Sequence, residues 1–295
     1  MTTPPSTTAT ATATTATSEQ PVRGRRRLLP DPTPASTLPR PRPMPAWLAY
    51  TALVLAYAAT FGYSLTGIVA AYRSGGTAPV THPPTAANFW SQALPGWIQH
   101  AVLLLVVTAV VLLVAWRRRI RVRDLFAPAP PSIPTPESKR RARHQARTVF
   151  AWALAGMTAW MVASSVIGQL MPAGLTGGFA ITDRSDAMWM VALLGPTQFT
   201  TAPIEETVVV AVLVILLSAA QRPAAEIYTV GVIAKVAYHA YYGPVVLLLI
   251  PEALLVLWLY RRTGRLWPVI CAHAAYNGAY SLLVIAWPGV ATYMG

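Results

Sequence analysis

The chain has 295 residues, of which 54% are hydrophobic and only 11% charged, and 23 Lys and Arg against 10 Asp and Glu give a formal charge of +13. Charged residues make up about a quarter of a typical soluble domain, so this composition excludes an ordinary soluble fold and points to apolar surface kept in lipid. The basic runs are poor in aromatic residues and carry no nucleic-acid reader pattern, which argues against DNA or RNA as a partner.

In chain order, residues 1–45 open on a Thr, Ala, Pro and Ser tract and carry ten of the 27 prolines and the basic residues Arg23, Arg25, Arg26, Arg27, Arg40 and Arg42. Such a stretch cannot bury a core and reads as a disordered cytoplasmic tail. It has no apolar region of the signal-peptide kind, so the first hydrophobic span is expected to act as the insertion signal. A helix crossing lipid needs about 20 apolar residues. The candidates are 46–72, 96–116, 148–171, one crossing within 187–220, 224–242, 244–260 and 266–287, seven in all. Spans 46–172 form an accessory front half, broken by the basic and proline-rich loop 117–147, which holds ten Lys and Arg.

With the tail inside, that loop, Arg222 and the cluster Arg261, Arg262 and Arg265 all fall on the cytoplasmic side, as the preference for basic residues there requires. Two crossings within 187–220 would put the last cluster outside. Gly195, Pro196 and Pro203 nevertheless interrupt that segment, and 34 residues of straight helix span about 51 Å, so a kinked or re-entrant entry is expected. Loops 73–95 and 173–186 and the C-terminus then lie outside, and Trp47, Trp90, Trp97, Trp116, Trp267 and Trp287 fall near span ends, as interfacial tryptophans do. The single cysteine, Cys271, excludes an intramolecular disulfide and a multi-cysteine metal site; its expected role is to fill space in a helix.

Polar residues inside spans cost most to insert and face the protein interior when they occur. They are Glu205, Glu206, Lys235, His239, Glu252, His273 and Asn277, all in the back half. His273 and Asn277 are four residues apart and share a helix face, as do Lys235 and His239. The blander reading of each pair is an interhelical hydrogen bond, and it weakens as two histidines and two carboxylates accumulate. Glu205 and Glu206 lie about 100° apart around a helix, so their roles should differ, one polarising a water and the other tied to a cation. Helix-start acids after Pro203 are the plainer alternative. Lys235 sits about 20 Å into its span, too deep to reach an interface easily, so an acidic partner is expected. Glu252, beside Pro251, pairs with Lys235 or caps a helix, and no catalytic role is assigned to it.

Glu205-Glu206, then His239, then Trp267-Pro268 followed by His273 and Asn277, resembles the CPBP (Abi) family of intramembrane proteases, which includes CAAX prenyl endopeptidases and bacteriocin-processing or immunity proteins. The likeness covers 187–288, about a third of the chain. It implies an all-α polytopic bundle with a four-helix core acting as an intramembrane endopeptidase, on membrane-associated or lipidated peptide substrates. Glu205 and His239 would activate water, and His273 and Asn277 would hold the oxyanion. A second version makes Glu205, His239 and His273 ligands of a divalent metal such as zinc. Lipid and a peptide or protein substrate are the partners implied, and the Ala, Arg and Pro bias suggests a bacterial plasma membrane.

The chain departs from the pattern twice. Val210 stands where the family has an arginine, four residues after the second glutamate, and Lys235 stands where it usually has phenylalanine. Lys235 is expected to give Glu206 the charge the arginine would have supplied. The alternative is an inactive member serving as a membrane scaffold or immunity protein. A transporter would carry a repeat of broken spans, and none is evident. Straight helices counted from Arg222 and Arg265 set His239 and His273 at depths of about 26 and 12 Å, so a shared site demands broken helices.

Overall fold

The computed structural model describes residues 29–33, 41–73, 82–130, 133–168, 170 and 181–288. Among the described residues every regular element is helical, the arrangement by which a chain in lipid satisfies its own backbone. Helices α1 (Ala46–Arg73), α2 (Phe89–Arg118), the short α3 (Val122–Phe126) and α4 (Pro136–Gly168) form the front half. Helix α5 (Arg184–Glu205) continues through a widened π-helical stretch (Glu206–Val212) into α6 (Leu213–Ala219). Then follow α7 (Ala224–Tyr238), a 3-10 stretch (Ala240–Leu248), α8 (Leu249–Thr263) and α9 (Trp267–Ala286).

Among the described residues six runs are long and apolar enough to cross a membrane: α1, α2, α4, α5 through α6, the 3-10 stretch with α8, and α9. The chain is an integral membrane protein built as an all-α bundle. The seventh expected span, 224–242, appears as α7 with 15 residues, about 22 Å of rise. That is less than the roughly 30 Å of a hydrocarbon core.

Burial shows how the runs are layered. In the α5-to-α6 run 89% of the most apolar window is buried, against 44% or less in each of the other five. This run is the axis of the bundle and the others wrap it. They turn Tyr63, Leu105 and Leu282 outward, where lipid covers them. The exposed Trp47, Trp90, Trp116, Trp267 and Trp287 lie at or near helix ends as expected. Cys271 is exposed on α9 rather than filling space in the core.

No re-entrant loop breaks the axial run. Pro196 and Pro203 both sit inside α5, and each removes one backbone donor. Side chains supply donors to the carbonyls nearby: Thr197 Oγ1 to Leu194 O (2.7 Å), Thr201 Oγ1 to Thr197 O (2.8 Å) and Trp97 Nε1 to Leu193 O (2.9 Å). The irregularity is absorbed three residues after Pro203, where the helix widens into its π-helical stretch at Glu206, a feature common at functional sites.

The segments that carry the basic clusters meet at one end. Arg42 N donates to Arg118 O, Met44 N to Ala219 O, and Leu266 N to Phe126 O. Residues 29–33, expected to be disordered, run across the same end: Thr33 N bonds to Arg262 O (3.0 Å), Thr33 Oγ1 to Thr263 O (2.7 Å), and Arg262 Nε to Pro30 O (2.7 Å). Gln145 of α4 joins them, donating to Asp31 O (2.6 Å) and accepting from Arg265 Nε (2.8 Å). Residues 1–28 and 34–40 of the expected tail lie outside the described residues. The expected loop 117–147 is also partly structured, since α3 and the first turns of α4 lie within it. Gly264, at φ 65°, closes α8 in the left-handed conformation that favours glycine, turning the chain into α9.

Candidate active site

The site forms where the axial run widens. Glu205 is the last residue of α5 and Glu206 the first of the π-helical stretch, so the two carboxylates leave the axis in different directions. Both are buried, Glu206 completely. An unpaired buried carboxylate is costly, and each of these is met by the surrounding helices.

Glu206 faces α7 and α9. Its Oε1 accepts from Lys235 Nζ (2.9 Å) and bonds to His273 Nδ1 (2.8 Å). Its Oε2 is buried without a hydrogen-bond partner among the described residues. Beside Glu206 lies a cavity of about 10 Å³ lined also by Val210, Gly231 and Lys235, close to the lower limit for one water. Val210, the position where the family pattern has an arginine, is buried against this space, and the cation beside Glu206 comes from α7.

Glu205 faces the end of α7. Its Oε2 accepts from Tyr238 Oη (2.6 Å), lies 3.7 Å from Lys235 Nζ and 4.0 Å from His239 Nε2. Tyr238 is held in turn by stacking on Phe61 of α1, with ring centroids 4.2 Å apart. His239 caps the C-terminal end of α7, and its Nδ1 is 2.9 Å from Lys235 O. A carbonyl oxygen only accepts, so Nδ1 carries the proton and the lone pair of neutral His239 sits on Nε2, the atom turned toward Glu205.

Beyond His239 the chain must turn sharply. Gly243 adopts φ 68°, ψ −152°, a region essentially restricted to glycine. Just before it, the 3-10 turn holds Tyr242 against the histidine, Tyr242 N donating to His239 O (2.9 Å) with the rings 5.8 Å apart and nearly parallel. The imidazole is thereby fixed by one hydrogen bond and one stacked ring.

Both histidines thus reach the adjacent glutamates despite the depths that straight helices suggest. The reason is that Glu205 and Glu206 diverge, each meeting one histidine. Asn277 makes its hydrogen bond outside the cluster: its Nδ2 donates to Gln198 O of α5 (2.8 Å), and Ser281 Oγ donates to Gln198 Oε1 (2.7 Å). Glu252, on α8, is buried, and neither of its carboxylate oxygens has a hydrogen-bond partner among the described residues. Two contributors carried no sequence signal of their own. Tyr238 looks like any aromatic in a span, and Gln198 declares itself only once α9 is packed against α5.

A metal-ligand set is also present. Ligand atoms of Glu205, Glu206 and His273 all lie within 4.8 Å of one another. The expected set had His239 in place of Glu206; the 2.8 Å contact between Glu206 and His273 draws the second glutamate in instead. Two carboxylates and an imidazole suit a borderline cation such as zinc, so the donor set fits a metal by its chemistry.

Residues 186–279 match the family described as type II CAAX prenyl endopeptidase, Rce1-like. No curated protein and no solved structure matches the chain. Over 186–279 the chain has the Rce1-like fold of the CPBP/Abi family, and its buried Glu205, Glu206 and His273 form the cluster that matches the CAAX proteases.

Proposed function

We propose that the protein is an intramembrane endopeptidase, a hydrolase of the CPBP kind, in which Glu205 and His239 activate a water for attack on a peptide bond. The observation that carries this reading is the 4.0 Å separation of Glu205 Oε2 and the proton-free His239 Nε2. It is too long for a direct hydrogen bond and suited to one water held by both.

In this scheme Glu205 takes the proton as the water adds to the carbonyl carbon, and returns it to the departing amine. With Nδ1–H donated to Glu206, His273 can serve the oxyanion only as the imidazolium, whose Nε2–H is then the donor. Asn277 Nδ2 has two N–H groups, one spent on Gln198, leaving the second for the same oxygen. One such donor contributes about 3–4 kcal/mol to an acyl-transfer transition state. A metal bound by Glu205, Glu206 and His273 would polarise the carbonyl or acidify the water.

The rest of the proposal is topological. Residues 224–242 serve as a seventh crossing, 187–288 forms a four-helix catalytic core, and the basic end with the N-terminus faces the cytoplasm of a bacterial plasma membrane. Substrates are membrane-associated peptides, including lipidated ones. A second reading, an inactive scaffold or immunity protein, is favoured by one observation: the ammonium of Lys235 lies 3.7 Å from Glu205, so that carboxylate already has a structural ion-pair partner.

The test is cleavage of reporter peptides, prenylated and unprenylated, by the full chain in proteoliposomes. Glu205→Gln should lower turnover by about 10²–10⁴ with the fold intact by thermal melt. Undiminished turnover, or no cleavage of any reporter by the unaltered chain, sinks the protease reading.

A further inference from the structure

We infer that Lys235 is the resident cation of the Glu205–Glu206 pair, and that its ammonium and a divalent metal are mutually exclusive occupants of the cluster. This rests on reading the cluster as a functional site, and adds to it a determinant on α7 that selects between two cations.

The argument is geometric. Lys235 Nζ lies 2.9 Å from Glu206 Oε1 and 3.7 Å from Glu205 Oε2, so it bridges the two carboxylates that belong to the metal-ligand set. A metal bonds carboxylate oxygen at about 2.0–2.2 Å. Held by Glu206 Oε1, it would therefore come no further than about 5 Å from the ammonium. Two positive centres that close repel strongly where water cannot screen them, and Lys235 is buried. Glu206 Oε1 is also fully engaged, since Lys235 and His273 take both of its lone pairs. For that oxygen to become a ligand, one of those contacts must break.

Lys235 cannot simply step aside. Its backbone carbonyl holds His239 Nδ1, so the residue is fixed at both ends, by its carbonyl to one catalytic group and by its amine to another. The pair is neutralised by a covalently attached cation rather than by an exchangeable ion. Metal loading then depends on removing the ammonium, not on adding ligands.

The experiment measures zinc binding to the purified full chain in nanodiscs, by metal content after dialysis and by the zinc-induced shift in melting temperature. The unaltered chain and Lys235→Arg, which keeps the cation, should retain little zinc and show no shift. Lys235→Met should bind at least tenfold tighter and gain melting temperature with zinc, and adding Glu206→Gln to it should abolish that gain. Lys235→Met loses a buried ion pair and is expected to melt lower; recovery with zinc is then itself the predicted signal. Stoichiometric zinc on the unaltered chain, or a Lys235→Met chain that zinc neither binds nor stabilises, overturns the proposal. No substrate is involved, so these outcomes are separate from loss of cleavage in Glu205→Gln.

Discussion

At the scale of single residues, the site is a set of buried polar groups that each have a named reason to stay put. Tyr238 illustrates how narrow the roles are. Its ring is fixed by Phe61 and its hydroxyl donates to Glu205 at 2.6 Å, so Tyr238→Phe removes the donor while leaving the stacking. A hydrogen bond to a charged group is worth about 1.5–3 kcal/mol. Denaturation of the variant in detergent should show a loss in that range, and turnover should fall because Glu205 is less firmly aimed. A variant as stable and as active as the parent would remove Tyr238 from the site. The sequence marked Glu205, Glu206, His239 and His273 because charges and imidazoles in lipid are rare enough to stand out. It could not mark Tyr238 or Gln198, whose side chains are ordinary in a span and acquire meaning only from the helix opposite.

At the scale of elements, hydropathy located the helices because a lipid-facing run must be continuously apolar, and the same criterion hid what happens inside the axial run. Val208–Val212 reads as featureless hydrophobic sequence, yet it lies in the π-helical stretch that opens at Glu206. Pro203 signalled an irregularity without specifying a widening instead of a kink or loop. The turn after α7 is a different case, since Gly243 and Pro244 are visible and the structure shows why glycine is there. At φ 68°, ψ −152°, a Cβ costs about 1–3 kcal/mol. Gly243→Ala should lower the melting temperature and reduce kcat, because strain at this position is passed to the adjoining Tyr242, whose ring lies on His239. A melt and kcat unchanged from the parent would show that the turn does not position the histidine.

At the scale of the whole molecule, the one-sided gathering of basic residues was legible, whereas the ordered strap at 29–33 was not. Proline and arginine composition reads as disorder, and most of the strap's contacts use backbone atoms, which leave no trace in residue type. Gln145, Arg262, Thr263 and Arg265 tie that strap to α4, α8 and the entry to α9. Deleting residues 1–33 should therefore lower the melting temperature by a few degrees, at about 0.5–1.5 kcal/mol for each hydrogen bond lost. An unchanged melt would show that the strap contributes nothing to stability.

The strap also bears on assembly. Thr33 emerges early from the ribosome, but its partner Thr263 lies 230 residues later, after α8 has been made. The basic end cannot be completed during insertion of the front helices. It closes only as the helix bearing His273 arrives, so docking of the strap and completion of the catalytic cluster become nearly simultaneous events. An arrested or truncated chain would keep an open strap and an unfinished cluster together, which couples the appearance of hydrolytic capacity to the end of synthesis.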